Sequence, residues 1–339
     1  MGTNLQPVEK NEPDHSGIDA LVAVTADDME KVNELILSRA ASHVEVVPQI
    51  ALHLIEAGGK RLRPMLTLIS ARLFGKGEGN QLKYAAAVEF MHNATLLHDD
   101  VVDESDMRRG KPAARKIWGN QASVLVGDFL LGQAFMMMVE TGSMEALDTL
   151  SRAAALIAEG EVLQLSKAKN LATSDKDYMQ IIGAKTATLF EAATMVGAMA
   201  GQANEPGQKA MAAYGRELGL AFQLVDDVLD YGGVNRDLGK NTGDDLREGK
   251  MTLPVILALE KASEAERKII AGALGAPDAS ADIFSKVLDI ITRYGALETA
   301  TNRALKHAQN AREAISDLPA SELLEILQQL TFYTVSRVR

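Results

Sequence analysis

The chain of 339 residues contains no cysteine, which excludes disulfide bonds and thiolate metal sites. A chain without cysteine fits a reducing compartment, and we expect a cytoplasmic location. The net charge of −11 argues against nucleic acid as a partner. No apolar run approaches the roughly 20 residues that a transmembrane helix needs. The first 28 residues lack the basic start and apolar segment of a signal peptide.

The sequence also lacks strand-like alternation and internal repeats. Apolar residues instead recur at helical spacing in a chain that is 47% hydrophobic. Long helices are predicted over residues 81–104, 121–140, 144–169, 175–200 and 208–231, and a loop over residues 232–249. We therefore expect an all-α fold, a single helical domain over residues 28–339 that follows a flexible tail over residues 1–27.

Two aspartate clusters lie far apart on the chain, each within an apolar helical run. They comprise Asp99, Asp100 and Asp103, and Asp226, Asp227 and Asp230. In each cluster the first and last carboxylates are four residues apart and share a helix face. One such cluster taken alone could be a solvated helix end. Two matching clusters favour an oxygen-only site for hard divalent cations, which indicates Mg²⁺ as the cofactor.

Basic residues accompany the acidic clusters. Lys60, Arg61 and Arg63 stand at a predicted helix start, and Arg108 and Arg109 follow the first cluster. Paired guanidinium donors and a helix N-terminus both bind phosphate, although ordinary surface charge explains either motif alone equally well. Three more lysines extend the set: Lys185, Lys240 and Lys250.

Two polar residues project toward the acidic clusters. His92 lies seven residues before Asp99, and Gln223 lies three residues before Asp226. A structural histidine and a satisfied buried glutamine are the alternative interpretations. Acidic walls that bind Mg²⁺ would neutralise a diphosphate leaving group, and the second basic cluster implies a second phosphorylated substrate. Apolar helices behind these walls would keep water from a carbocation.

With these motifs in this order, the chain closely resembles the trans-isoprenyl diphosphate synthases from about residue 28 to the C-terminus. The motifs are both DDxxD clusters and residues 58–64, 106–110, 185–186, 222–227 and 249–254. The resemblance implies a helical bundle around a deep central cavity, the isoprenoid synthase fold, and a homodimer. It also implies repeated condensation of isopentenyl diphosphate with an allylic diphosphate, each cycle proceeding by ionisation, attack by the double bond and proton loss.

The resemblance implies a role for each site residue. Asp99, Asp103 and Asp226 would hold Mg²⁺, with Asp100, Asp227 and Asp230 in support. Arg108, Lys185 and Lys240 would clamp the allylic diphosphate, and Lys60, Arg63, His92 and Arg109 would bind isopentenyl diphosphate. Thr186 and Gln223 would stabilise the allylic cation. Lys250 is a further candidate for substrate binding.

Product length in this family depends on what blocks the cavity below the first cluster. Ala94 is five residues before Asp99, where shorter-chain relatives place bulky aromatic residues. Ala94 and Thr95 leave room, so the chain should grow beyond the farnesyl stage. Phe135 and Met138 are candidates for the cavity floor, although most of their apolar helix must serve as core or dimer contact. We expect a C40–C50 product for a quinone side chain, preferably ubiquinone.

Three other functions compete with this interpretation. A geranylgeranyl diphosphate synthase is the main alternative. A class I terpene cyclase would not need the second basic site, and a non-catalytic partner subunit tends to lose one acidic motif. A very apolar product also predicts transient membrane contact during release.

Overall fold

The computed structural model describes residues 16–75, 79–232, 243–276 and 280–338. Its helices are α1 (Ser16–Arg39), α2 (Val46–Glu56), α3 (Leu62–Phe74), α4 (Asn80–Val102), α5 (Ala114–Trp118), α6 (Asn120–Glu140), α7 (Met144–Lys167), α8 (Asp175–Ile182), α9 (Thr188–Ala200), α10 (Glu205–Tyr231), α11 (Asp244–Arg247), α12 (Leu253–Lys261), α13 (Glu264–Ala273), α14 (Ala281–Arg293), α15 (Ala296–Ala314) and α16 (Glu322–Ser336). Two-residue strands β1 (Met107–Arg108) and β2 (Lys111–Pro112) form an antiparallel pair. The prediction of an all-α fold is confirmed.

The two helices that carry the acidic clusters are linked through α9. Helix α4 packs against α3, α6 and α9, while α10 packs against α9 and α15. Their buried faces contribute large side chains to the core, including Phe90 and Met91 of α4 and Tyr214 and Leu224 of α10. Because both helices contact α9, the fold fixes the acidic ends of α4 and α10 relative to one another.

The predicted N-terminal tail is too long. Helix α1 begins at Ser16, so residues 16–27 are helical, whereas residues 1–15 lie outside the described part of the chain. Ile18, Leu21 and Thr25 are buried at helical spacing. Gly17 lies so close to α16 that a Cβ there would be 2.8 Å from the backbone of Gln329. This burial against α16 outweighs the polar composition on which the tail prediction rested.

The helix predicted over residues 175–200 is interrupted. A π-helical turn over Gly183–Ala187 separates α8 from α9, and it contains Lys185 and Thr186. Gly160 of α7 allows close approach to this turn, because a Cβ would lie 2.9 Å from the backbone nitrogen of Lys185. Such turns recur at functional sites because the extra residue redirects side chains.

Helix α6 is more apolar over its length than the sequence analysis indicated, which found no run close to the length of a transmembrane helix. Among the described residues, α6 is the one helix that is long and apolar enough to cross a membrane, judged by length and composition alone. Of the most apolar stretch of this helix, 39% is buried in the protein, and Val126, Leu130 and Met137 lie in the core. A second set of apolar side chains on α6 is exposed, and it includes Leu125 and Val139.

Candidate active site

The first acidic cluster lies at the C-terminal end of α4. The side chains of Asp99 and Asp103 are 15% and 13% exposed, whereas Asp100 is buried. Asp100 Oδ1 accepts hydrogen bonds from Arg108 Nε at 2.9 Å and from Arg108 Nη2. Asp100 therefore holds Arg108 beside the cluster, and its supporting role in metal binding stays a prediction.

Lys185 lies between two carboxylates. Its Nζ is 2.7 Å from Glu161 Oε1 of α7 and 3.4 Å from Asp99 Oδ2. Burial and the charge of Asp99 raise the pKa of Glu161 to about 7, while the charge of Lys185 opposes them. The π-helical turn thus places a lysine where it can neutralise Asp99 or meet an incoming phosphate.

Lys250 connects the two acidic clusters. Its Nζ is 2.9 Å from Asp103 Oδ2, and its backbone N–H donates to the carbonyl oxygen of Asp245. The backbone N–H of Asp245 in turn donates to Asp230 Oδ2 at 3.3 Å. Burial alone would lower the pKa of Lys250, but the carboxylates of Asp245 and Asp103 outweigh it and raise the pKa. Lys250 therefore remains a cation between the clusters.

The second cluster, on α10, divides its carboxylates between two environments. Asp226, whose side chain is 43% exposed, lies 3.2 Å from Arg337 Nη2 at the end of α16. Asp227 is buried and accepts hydrogen bonds from Gln223 Nε2 at 2.8 Å and from the Tyr178 hydroxyl at 2.6 Å. Burial and the charge of Asp245 raise the pKa of Asp227 to about 8. Both of its oxygens therefore face protein donors in this arrangement, and metal binding by Asp227 stays a prediction.

Thr186 and Gln223 lie together, as the predicted shared role requires. The Thr186 hydroxyl donates to Gln223 Oε1 at 2.8 Å, across the contact between the π-helical turn and α10. Thr186 is buried and Gln223 is partly buried. The two side chains therefore form one polar unit between Lys185 and the second cluster.

A separate cationic pocket lies between α3, α4 and the β1–β2 turn. Arg63 Nη1 is 3.4 Å from His92 Nε2, and the Arg63 guanidinium lies 4.4 Å from the ring centroid of Phe190. Burial lowers the pKa of Arg63 to about 10, so it stays charged at neutral pH. Burial and the charge of Arg63 lower the pKa of His92 well below its usual value, so this imidazole is neutral.

Arg109 reaches this pocket from a tight turn. Its own φ is 51° and that of Gly110 is 76°, as expected where two strands pair across two residues. Its guanidinium lies against Gly59, where a Cβ would come 2.5 Å from Arg109 Nη1. Gly59 has a φ of 151°, and its missing side chain leaves the space that the guanidinium occupies.

The structure adds residues that the sequence did not single out. Glu89 is buried on α4, where burial raises its pKa and the charges of Arg61, Arg63 and Arg109 oppose that rise. Its position three residues before His92 was an available signal. Arg337 is far from both acidic clusters in sequence, so no spacing pattern predicted its contact with Asp226. Lys60 donates to the Tyr333 hydroxyl of α16 rather than standing free, and Lys240 lies outside the described residues.

The chain-length candidates share one apolar cluster. Ala94 and Met138 are buried in it, and Phe135 packs against it from α6. Thr95 is partly buried, and its hydroxyl donates to the carbonyl oxygen of His92 at 2.7 Å. These positions are consistent with a wall built from α4 and α6.

The carboxylates of the site have the chemistry of a divalent-metal site. Within the described ranges, no three carboxylate or histidine side chains already converge as a metal cluster. Asp99, Asp103 and Asp226 instead pair with Lys185, Lys250 and Arg337 respectively. The atoms that could bind a metal are all carboxylate oxygens on partly accessible side chains. Each carboxylate faces a basic side chain whose positive charge a metal ion could replace. The residues therefore fit a hard divalent cation.

Comparisons with known proteins identify the family. A profile of the polyprenyl synthetase family matches residues 44–291. An octaprenyl diphosphate synthase from Haemophilus influenzae is 43% identical over 324 residues, 96% of this chain and 98% of that protein. A decaprenyl diphosphate synthase structure from Rhodobacter capsulatus is 48% identical, with a TM-score of 0.90 over 95% of this chain and 99% of that one.

A third relative was solved with bound molecules. The polyprenyl synthase from Caulobacter crescentus, complexed with calcium and isoprenyl diphosphate, is 47% identical. Its TM-score is 0.90 over 97% of this chain and 99% of that one. The neighbours have the all-α isoprenoid synthase fold, which confirms the predicted fold. The chain belongs to the polyprenyl synthetase family and is a prenyltransferase.

Proposed function

We propose that the protein elongates an allylic diphosphate, preferably farnesyl diphosphate, with isopentenyl diphosphate to an all-trans C40–C50 polyprenyl diphosphate. The observation that supports this proposal is the presence of two separate groups of basic side chains. Lys185, Lys250 and Arg108 accompany the acidic clusters, whereas Arg63, His92 and Arg109 form a second site. Two substrates that each bear a diphosphate need two such sites.

The acidic clusters supply the metal site. Asp99, Asp103 and Asp226 would hold Mg²⁺, and the bound ion would neutralise the diphosphate and make it a better leaving group. Asp230 supports this wall through its contact with the backbone N–H of Asp245. Lys185 and Lys250, which pair with Asp99 and Asp103 here, are close enough to the metal site to bind the allylic diphosphate.

The reaction itself is a transfer of an allyl group. The C–O bond of the allylic diphosphate breaks, and the diphosphate leaves with the electron pair. The double bond of isopentenyl diphosphate then attacks the cation to form a C–C bond, and the leaving diphosphate accepts the proton that is lost. Thr186 and Gln223 present oxygen atoms that stabilise the cation, while Lys60, Arg63, His92 and Arg109 position isopentenyl diphosphate.

The long product and its use rest on similarity and on the cavity wall. Two of the relatives named above are called octaprenyl and decaprenyl diphosphate synthases, and Ala94 is a small buried residue of α4, the helix that carries the first cluster. A geranylgeranyl product is the alternative, which a bulkier wall would favour. We further propose that the product supplies a quinone side chain, preferably ubiquinone, that the enzyme is cytoplasmic, and that it contacts a membrane transiently during release.

We also propose a homodimer formed through α6. Leu125, Met136 and Val139 are 66%, 53% and 63% exposed, and their spacing puts them on one face of the helix. On the opposite face, α6 packs on α4. A second copy of this chain is the occupant that suits so apolar a surface on a core helix.

The direct test is product analysis. The purified protein is incubated with farnesyl diphosphate, radiolabelled isopentenyl diphosphate and Mg²⁺, and the dephosphorylated products are separated by length. A main product of C40–C50 is expected. A main product of C20 would overturn the long-chain assignment, and a cyclic hydrocarbon without incorporation of label would overturn elongation altogether. A parallel reaction with EDTA tests the metal requirement.

A further inference from the structure

Tyr178 is a buried tyrosine of α8 that no motif of the family resemblance includes. Its side chain is 2% exposed and packs in the apolar cluster formed mainly by α10, α12 and α15. Its hydroxyl, however, is directed at a carboxylate and donates to Asp227 Oδ2 at 2.6 Å. An O–H···O distance of 2.6 Å is at the short end of the range for such hydrogen bonds, and its loss would leave a buried carboxyl oxygen without this donor.

This hydrogen bond is the first of three in series. Asp227 Oδ1 accepts from Gln223 Nε2 at 2.8 Å, and Gln223 Oε1 accepts from the Thr186 hydroxyl at 2.8 Å. The series thus runs from a buried tyrosine to the polar pair beside Lys185. Only its last members, Gln223 and Thr186, belong to the proposed reaction site.

The positions of the hydrogen-bond donors determine how the side-chain amide of Gln223 is oriented. Tyr178 donates to Asp227 Oδ2 and the Gln223 amide nitrogen donates to Asp227 Oδ1, so each of these two oxygens accepts one hydrogen bond. The amide nitrogen of Gln223 must then point toward α8, and its carbonyl oxygen must point toward Thr186. A Gln223 side chain rotated by half a turn would place two acceptor oxygens against one another, which is unfavourable.

We propose that Tyr178 is a positioning residue that acts through Asp227 to hold the carbonyl oxygen of Gln223 toward the allylic cation. This inference rests on the proposed function, because it assigns Gln223 to the ionisation step. A carbonyl oxygen stabilises developing positive charge, whereas an amide N–H₂ group in its place would oppose it. Preorganisation of the amide before ionisation means that no rotation is needed as the charge develops.

A matched tyrosine provides the control. Tyr214 is fully buried on α10, the helix that carries Gln223, and its hydroxyl donates to the backbone carbonyl of Leu327 at 2.8 Å. Tyr214→Phe therefore removes a buried hydrogen bond of similar length without touching the series. Both substitutions keep the aromatic ring in the core.

The first experiment compares single-turnover rates and KM values of wild type, Tyr178→Phe and Tyr214→Phe. Tyr178→Phe is expected to lower the single-turnover rate about tenfold, the scale of one such hydrogen bond, with both KM values within about twofold. Tyr214→Phe should leave the rate unchanged although it lowers the melting temperature. A wild-type rate for Tyr178→Phe, or an equal loss in both variants, would overturn the inference.

A double-mutant cycle tests whether Tyr178 acts through Gln223. In a Gln223→Met background, Tyr178→Phe should cause almost no further loss of rate, because the group that it positions is absent. A further tenfold loss in that background would show independent effects and refute the positioning role. If wild type transfers no prenyl group at all, the proposed function fails, and that result is distinct from a normal wild type with additive variants.

Discussion

At the scale of single residues, the aspartates differ by what they face. Asp100 and Asp227 are buried and engaged by protein donors, whereas Asp99, Asp103 and Asp226 reach solvent and pair with cations. Burial separates the two groups, because the buried carboxylates are held by neighbouring protein donors whereas the accessible ones face cations that a metal could replace. Aspartates of one short motif therefore have different contacts: some orient neighbouring side chains, and others are accessible to a ligand.

We expect Asp99→Ala to lower turnover by at least ~10²-fold, because the metal loses a ligand and the diphosphate loses its neutralisation. Steady-state kinetics in saturating Mg²⁺ is the measurement. Asp148→Ala is the control, since Asp148 pairs with Arg152 on an exposed helix face and its loss should leave turnover unchanged. Near-normal activity of the Asp99 variant would remove this residue from the metal site.

Glu161 gives a prediction for pH. Its pKa is raised from 4.5 to about 7 in the folded state by burial and by Asp99, so between pH 4.5 and 7 the unfolded chain releases this proton while the folded one retains it. The carboxyl group therefore lowers the free energy of unfolding as pH rises through this window, by an amount on the order of 1–3 kcal/mol.

Denaturant titrations in EDTA between pH 4.5 and 7.5 measure this contribution. We expect Glu161→Gln to show a smaller loss of stability across that range than wild type, because glutamine does not ionise. Glu159→Gln, an exposed neighbour on α7, should follow the wild-type curve. Parallel curves for wild type and the Glu161 variant would contradict the raised pKa.

At the scale of elements, helices α4 and α6 together define the space below the acidic cluster. Ala94 and Met138 are buried in one apolar cluster, against which Phe135 packs. In addition, Gly127 of α6 leaves room for the imidazole of His98 on α4. The close packing of these helices means that the size of a side chain on α4 changes the depth of the space between them.

We expect Ala94→Phe to shorten the product to about C15–C20 without abolishing turnover, because the larger ring fills space below Asp99. The cost in stability from overpacking should be about 1–3 kcal/mol. Separation of the labelled products by length is the measurement, and the rate of the first condensation serves as the internal control. An unchanged product length would place the end of the cavity elsewhere.

Sequence patterns predicted much of the fold and its elements. Helix α6 begins and ends within one residue of its prediction, and the predicted start of α7 at residue 144 is also observed. The π-helical turn could not be predicted, because one extra residue hardly alters apolar periodicity. The start of α1 was wrong because its burial depends on α16, at the other end of the chain. The contact of Arg337 with Asp226 depends on the same long-range packing.

At the scale of the whole molecule, the apolar face of α6 is exposed to solvent in a single copy of the chain. Leu125, Met136 and Val139 share this face, while the charged residues of the site lie at the end of α4 and on α10. Burial of such a face stabilises association by about 25 cal/mol for each Å² removed from water, less the entropy of association. The active sites would then remain accessible in each copy.

We expect Leu125→Asp to convert the proposed dimer to a monomer, because a carboxylate buried at the centre of an apolar interface has no partner. Light scattering coupled to size-exclusion chromatography measures the mass. Val22→Asp is the control, since Val22 is 49% exposed on α1, and this variant should keep the mass of wild type. A monomeric wild-type protein, or a dimeric Leu125 variant, would exclude this face as the interface. If the variant is a monomer with full activity, each chain holds a complete active site, and the face serves assembly alone.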